Sequence, residues 1–303
     1  MKAAPFAYVR PGAVDDALTE LGRDGAKVIA GGQSLVPVLA MRLARPTTLV
    51  DINAIDELYV LDTDGDTLRV GACVRQRTIQ RDAHGAVVPL LRLALPWVGH
   101  RELRSRGTVC GSLAHADPAA ELPAVAACLD ATLTIRSRGG ERTVAASDFF
   151  TAAMTTATQP EELVTSVHFP HAKPHEGFGF AEIGRRHGDF ALAGVAVRVD
   201  VGDPARPTAR VTAFGISDRP IVRDVSTLVR EAVATDGSQT PEAALRAALV
   251  DGAAALAEDV VDTGGDAHGS TAYRRQLIAA LASREIARAY VRASASTTVK
   301  GPA

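Results

Sequence analysis

Cysteine is scarce in this sequence of 303 residues: Cys73, Cys110 and Cys128 are all there are, and none has a partner at CxxC or CxH spacing. The chain therefore carries neither a disulfide framework nor a zinc site, and it lacks the four thiolates an iron–sulfur cluster generally takes. Any such cluster must belong to a partner. No window of eighteen or more apolar residues occurs, so no bilayer-spanning helix and no membrane insertion are expected. The start, Met1-Lys2-Ala3-Ala4-Pro5, has neither the apolar core nor the cleavage site of a secretory signal, and the expected location is the cytoplasm. Concentrated positive charge is missing too. The 33 basic and 35 acidic residues give a net charge of −2, and the basic ones are scattered, which argues against a nucleic-acid partner.

What is present is a chain able to bury a core, 47% hydrophobic and 22% charged, and long enough for two or more domains. The first fifty residues alternate: strand Ala7–Val9, amphipathic helix Val14–Leu21, strand Lys27–Ala30, helix Ser34–Leu43, strand Thr48–Asp51, a small βαβ-type unit. A hairpin follows over Leu61–Val70 around Asp64-Gly65-Asp66, with helical runs Arg75–Arg81 and Val88–Val98. Asp117 and Pro118 suit the N-cap and first turn of a helix through Ala127, which would put Glu121 one turn inside. Strands Ala131–Arg136 and Arg142–Val144 flank the turn Ser137-Arg138-Gly139-Gly140. Pro170, His171, Pro174 and Gly177 mark a linker. Beyond it, Gly177–Ile183, Leu192–Val201 and Arg210–Ile216 read as three antiparallel strands, followed by helices Val225–Ala234, Pro241–Leu256 and Ser270–Arg292. The tail from Ser294 reads as frayed.

Two glycine-centred runs carry the functional signal. They are Ala30-Gly31-Gly32-Gln33-Ser34-Leu35 and Gly107-Thr108-Val109-Cys110-Gly111-Ser112-Leu113-Ala114-His115-Ala116-Asp117-Pro118. Glycines without a Cβ let backbone amides approach an anion, and neighbouring hydroxyls add donors, so each run reads as a cradle for one face of a diphosphate. Two cradles suggest a dinucleotide clamped from both sides. Taken singly, either run also reads as an ordinary tight turn opening a helix. Ser34 fits equally as a helix N-cap or as a phosphate donor.

With both runs in place, the chain resembles the flavin-binding medium subunit of molybdenum hydroxylases, the group of carbon monoxide dehydrogenase, xanthine dehydrogenase and the nicotine- and aromatic-degrading dehydrogenases. The likeness also takes in Leu49-Val50-Asp51-Ile52-Asn53, Glu121, the run Arg185-Arg186-His187-Gly188-Asp189-Phe190-Ala191, and His268-Gly269-Ser270-Thr271-Ala272-Tyr273-Arg274-Arg275. The resemblance implies an α+β fold: a two-part FAD-binding domain of the vanillyl-alcohol-oxidase (PCMH) type, then a small domain of a three-stranded antiparallel sheet and a helical bundle. The corresponding boundaries are 1–57 and 58–172 for the two FAD-binding parts, 173–293 for the C-terminal flavoprotein domain, and 294–303 for a flexible tail. It implies FAD as cofactor. Ala30, Gly31, Gly32, Gln33, Ser34 and Leu35 would hold the diphosphate from one side. Thr108, Val109, Cys110, Gly111 and Ser112 would hold diphosphate and flavin from the other, with His115 and Asp117 beside them. Glu121 would take a ribose hydroxyl, Leu163 and Val164 would lie near the adenine, and Ile183 near the flavin.

The same resemblance implies an oxidoreductase subunit that passes electrons from a partner's iron–sulfur clusters through FAD to an external acceptor. Its partners would be a large molybdopterin-binding subunit and a small two-iron two-sulfur subunit, assembled as a dimer of heterotrimers. Neither a catalytic nucleophile nor a metal site is expected in the chain itself, because a flavin carries its own chemistry. His115 packs beside the flavin in this reading rather than serving as acid or base. Cys110 replaces a glycine found in many relatives. It is either an inert filler or, at a helix opening, a thiol of lowered pKa, and it is the one hint of a flavin-free scaffold. Cys73 and Cys128 read as core. Arg101, Arg104 and Arg106 face either a partner or water. The run Arg185-Arg186-His187-Gly188-Asp189 reads either as a solvated turn or, by the resemblance, as part of a loop Ile183–Asp189 that gates access to the flavin; the strand before it has Ala181-Glu182-Ile183 where some relatives carry a lysine. A self-sufficient flavin oxidase is the enzymatic alternative; the short C-terminal module counts against it.

Overall fold

The structure, a computed structural model, describes residues 2–234 and 241–298. These fall into two compact units. One takes in the chain up to Val87, then His100–Asp117 and Asp130–His171; the other comprises Val88–Gly99, Pro118–Leu129 and the chain from Ala172 onward.

In chain order the elements begin with β1 (Ala7–Val9), α1 (Val14–Leu21), β2 (Ala26–Ile29), α2 (Leu35–Ala40) and β3 (Thr48–Asp51). Next come β4 (Leu61–Asp64), β5 (Thr67–Gly71), α3 (Gln76–Arg81), α4 (Pro89–Ala94), α5 (Arg101–Arg106), α6 (Val109–His115) and α7 (Glu121–Cys128). They are followed by β6 (Thr132–Ser137), β7 (Gly140–Ala145), α8 (Ala146–Phe149), β8 (Phe150–Ala152), β9 (Thr155–Thr156) and β10 (Leu163–Pro170). The remainder is β11 (Glu176–Gly184), β12 (Ala191–Asp200), β13 (Thr208–Phe214), β14 (Ile221–Asp224), α9 (Ser226–Ala234), α10 (Glu242–Ala248), α11 (Val250–Val260) and α12 (Thr271–Thr298).

The first unit holds a parallel sheet in the order β1-β3-β2 and an antiparallel sheet in the order β4-β5-β10-β6-β7. Val14, Ala17, Leu18 and Leu21 recur at helical spacing along α1 and are all buried, so one apolar stripe holds that helix in the core. The two turns after parallel strands β2 and β3 lie side by side at the strands' carboxyl ends, because Ile29 pairs with Asp51. Such ends are where open parallel sheets place their ligands.

The second unit holds the antiparallel sheet β11-β12-β13-β14, packed on α12, which in turn packs on α11, around a core that includes Val195, Val197, Val211, Leu249, Ile278 and Ile286. Helices α4 and α7 pack against this sheet as well. Every residue of α7 is buried, so the helix shows no polar face, as befits a helix enclosed on all sides.

Several elements differ from the sequence expectation, each for a local reason. Helix α7 opens at Glu121 rather than at Pro118, with Ala120 extended at ψ 143. The later start puts Pro123 in the first turn, where its missing N–H costs no hydrogen bond; an earlier start would have placed it in the helix interior. Helix α2 ends at Ala40 and the chain turns through Arg42 at φ 59, in the left-handed region. Pro89 opens α4 and Pro96 follows it closely, so the helix is shorter than the expected 88–98. The single helix expected over 241–256 is two, joined at the fully buried Leu249, whose ψ of −6 interrupts the α-helical ladder. The C-terminal sheet expected with three strands carries β14 as a fourth, too short to stand out in the pattern. Helix α12 runs through Thr298, into the segment read as a tail; residues 299–303 lie outside the described residues.

Candidate functional site

The turn between β2 and α2 is built by two glycines. Gly32 has φ +73, where an L side chain is strained. A Cβ on Gly31 would sit 2.8 Å from Gly107 Cα and closer still to the Arg106 carbonyl oxygen. The first glycine run is therefore packed backbone to backbone on the start of the second. The hypothetical Cβ of Gly111 comes within 4.0 Å of Ala30 Cβ, a second point of approach.

Both loops open helices, but they use their hydroxyls differently. Thr108 is the N-cap of α6, and its Oγ1 accepts from Gly111 N at 3.0 Å. Ser34 is the N-cap of α2 and makes no capping hydrogen bond. The amides of Gly32, Gln33 and Ser34 donate no hydrogen bond among the described residues, leaving a row of backbone donors at a helix opening, the feature that receives an anion. Gln33 Nε2 donates to Gly31 O at 3.2 Å and folds over the turn.

A cavity of about 470 Å³ lies against this turn. Ala30, Gly31, Gly32 and Gln33 line it together with Tyr8, Asp51, Asn53 and Arg106. Asn53 Nδ2 donates to Ala30 O at 2.8 Å and its backbone N donates to Asp51 Oδ1 at 2.9 Å. Burial pushes the Asp51 carboxyl up, but hydrogen bonds from Tyr8 and from the Asn53 backbone and side chain, with Arg10 nearby, outweigh it and hold the group below its ordinary range. That hydrogen bond to Asp51 raises the Tyr8 phenol. The charge of Asp51 is thus committed to protein donors, while the exposed guanidinium of Arg106 supplies positive charge.

The other residues singled out from the sequence are placed as follows. Ser34 and Leu35 open α2 beside the cavity without lining it. Val109 and Cys110 turn into the core. Cys110 has a negative φ and its Sγ donates to Val70 O at 3.4 Å, so the side chain leaves the loop. Burial raises its thiol pKa rather than lowering it, which corrects the reactive-thiol alternative and removes the one hint against flavin. Burial likewise pushes the Cys73 thiol up to about 11. Ser112 and His115 are half-buried on α6, and burial, with a smaller opposing influence from Asp117, lowers the His115 imidazole pKa and favours its neutral form. Leu163 and Val164 are buried on β10, paired with Arg136 and Ile135 of β6, and do not line the cavity.

Two of the singled-out residues stand in the second unit. Glu121 is the first residue of α7, and Ile183 lies on β11 at a bulge. Next to Ile183, Glu182 is only 4% exposed and its Oε2 has no hydrogen-bond partner. Burial, then repulsion from Glu121, pushes its carboxyl up to about 9. In the loop that follows, Asp189 pairs with Arg186 at 3.4 Å and Arg185 at 3.7 Å, His187 meets Trp97 edge-on at 6.0 Å, and Phe190 is exposed.

Sequence reasoning missed Tyr8, Arg75 and the cavity-facing role of Arg106. Asp51 and Asn53 belonged to a quoted motif, yet nothing local said that Asn53 would grip Ala30. No group of three or more His, Cys, Asp or Glu able to hold a metal occurs among the described residues, and no helix there is long and apolar enough to cross a membrane.

Residues 4–172 match the family described as FAD binding domain in molybdopterin dehydrogenase, and residues 178–289 match the CO dehydrogenase flavoprotein C-terminal domain. The chain is 37% identical over 303 residues to the 6-hydroxypseudooxynicotine dehydrogenase complex subunit alpha of Paenarthrobacter nicotinovorans, covering 97% of each chain. It is 32% identical to the carbon monoxide dehydrogenase medium chain of Afipia carboxidovorans, covering 95% of this chain and 98% of that one. Among solved structures, quinoline 2-oxidoreductase from Pseudomonas putida 86 superposes with a TM-score of 0.84 at 33% identity, over 97% of this chain and 100% of that one. The chain belongs to the FAD-binding medium subunits of molybdenum hydroxylase-type oxidoreductases. Its cofactor is FAD.

Proposed function

We propose that this chain holds FAD by its diphosphate at the Ala30–Gln33 turn and passes electrons from a partner's iron–sulfur clusters to an external acceptor. The observation that carries the reading is the meeting of two glycine loops, some eighty positions apart in sequence, beside one cavity with unclaimed backbone amides. Gly32, Gln33 and Ser34 would donate to phosphate oxygens, and Arg106 would offset their charge. From the second loop, Gly107 lies against Gly31 and Gly111 approaches Ala30, while contacts from Thr108 and Ser112 to the cofactor rest on resemblance. Bound FAD supplies the redox chemistry, since its ring accepts hydride or single electrons. The chain's own residues bind and orient it. The roles of Glu121 at a ribose hydroxyl, Leu163 and Val164 at the adenine, and Ile183, His115 and Asp117 near the flavin rest on resemblance.

The partners in this reading are a large molybdopterin-binding subunit and a small two-iron two-sulfur subunit, as a dimer of heterotrimers in the cytoplasm. Hydroxylation of the organic substrate takes place on the large subunit. The test is stopped-flow spectroscopy of the flavin band. In the copurified complex the organic substrate should bleach it rapidly, whereas the FAD-loaded chain alone should stay oxidised with the same substrate. Rapid bleaching of the isolated chain would make it a self-sufficient oxidase instead.

A further inference from the structure

We propose that Arg75 is a positioning residue for the diphosphate site, the tie that keeps the two glycine loops at the spacing a dinucleotide needs. Its guanidinium forks between them. One amino group donates to Asn53 Oδ1 and the other to the Arg106 carbonyl oxygen, both at 2.5 Å. Each acceptor braces one loop. Asn53 uses its own amide nitrogen to hold Ala30 O at 2.8 Å, and Arg106 O is the atom on which Gly31 is seated. Ala30, Asn53, Arg75, Arg106 and Gly31 therefore form a closed ring of contacts.

The backbone of Arg75 reinforces this ring. It forms an isolated antiparallel bridge with Thr108, the N-cap of α6, and the next residue's amide, Gln76 N, donates to Gly107 O at 2.9 Å. The second loop is thus registered against the start of α3 by its backbone, and the first is tied there by the Arg75 side chain through Asn53. The Asn53 amide is fixed in orientation, since its oxygen accepts from Arg75 while its nitrogen donates to Ala30. A lysine keeps the charge at this position but not the planar fork that reaches two acceptors at once. A site assembled from loops distant in sequence binds tightly only if their spacing is set beforehand, because otherwise binding must order them.

This inference rests on the FAD reading above, and the test separates the two. FAD is titrated into apoprotein and followed by flavin fluorescence, for wild type, Arg75→Lys, Asn53→Ala, the double variant, and Arg77→Lys as a control outside the ring. Arg75→Lys is expected to weaken FAD binding by roughly ten- to a hundredfold, the loss that goes with one charge-assisted hydrogen bond. Its apoprotein Tm should fall by no more than a few degrees, and Arg77→Lys should bind normally. The double variant should bind no worse than Asn53→Ala alone, because both break one link. Unchanged FAD affinity in Arg75→Lys, or losses that simply add, overturns the proposal while leaving the FAD reading intact. Should Arg75→Lys fail to fold, Asn53→Ala reads the same link from its other end, and normal binding there overturns it equally. Wild-type apoprotein that binds no FAD sinks the FAD reading itself.

Discussion

Adding a single methyl group at Gly31 should damage the site more than its size suggests. The Cβ of Gly31→Ala would lie 2.8 Å from Gly107 Cα, and the Arg106 carbonyl oxygen is nearer still. Both neighbours are backbone, so no side chain can swing away. The loops must part by more than half an ångström to restore ordinary contact, and that motion strains the Arg75 fork to Arg106 and opens the Gly107 end of α6. Overpacking of this kind costs about 1–3 kcal/mol, and each 1.4 kcal/mol is about tenfold in affinity. FAD affinity of Gly31→Ala should therefore fall by roughly ten- to a hundredfold or more, with apoprotein Tm lowered by a few degrees. The assay is equilibrium titration of apoprotein with FAD, paired with thermal melts with and without cofactor. If the variant bound FAD within about twofold of wild type, an effect under 0.5 kcal/mol, the loops would not be seated on each other as described and the cradle would lose its physical basis.

Other outcomes follow from the same geometry. Thr108→Ala removes the oxygen that caps α6 through Gly111 N and should cost about 1 kcal/mol of stability, read as a fall in the urea midpoint; an unchanged midpoint refutes the cap. Glu182 is protonated in the folded chain up to about pH 9. An acid whose folded pKa is raised binds more protons folded than unfolded, so stability should fall as pH rises from the ordinary glutamate range toward 9. Glu182→Gln apoprotein should match wild type near pH 4 and be more stable at pH 8, by on the order of a few kcal/mol; parallel pH profiles for the two would contradict this. Cys73, Cys110 and Cys128 are all buried. A thiol reagent should find none of them in native protein at pH 8 and all three after denaturation, and stoichiometric labelling of the native chain would refute the inert assignment.

Much of this was legible in the chain because it is written in short-range chemistry. The alternation of strand and helix up to Asp51, the apolar stripe Val14, Ala17, Leu18 and Leu21, and the two glycine runs each depend on residues a few positions apart, where backbone sterics and side-chain periodicity act directly. Even the start of α7 was recoverable, since Pro123 forbids an earlier one, although the stronger-looking Asp117-Pro118 signal hid it. The tertiary structure alone decided that Ala30 meets Asn53, that Gly31 lies on Arg106, that Arg75 joins these two braces, and that Cys110 points at Val70 instead of into the cradle. It also decided that α4 and α7 pack with the C-terminal sheet. Those outcomes depend on packing between segments roughly twenty to ninety positions apart, and a local pattern holds no record of which distant backbone will fill the space a glycine leaves open.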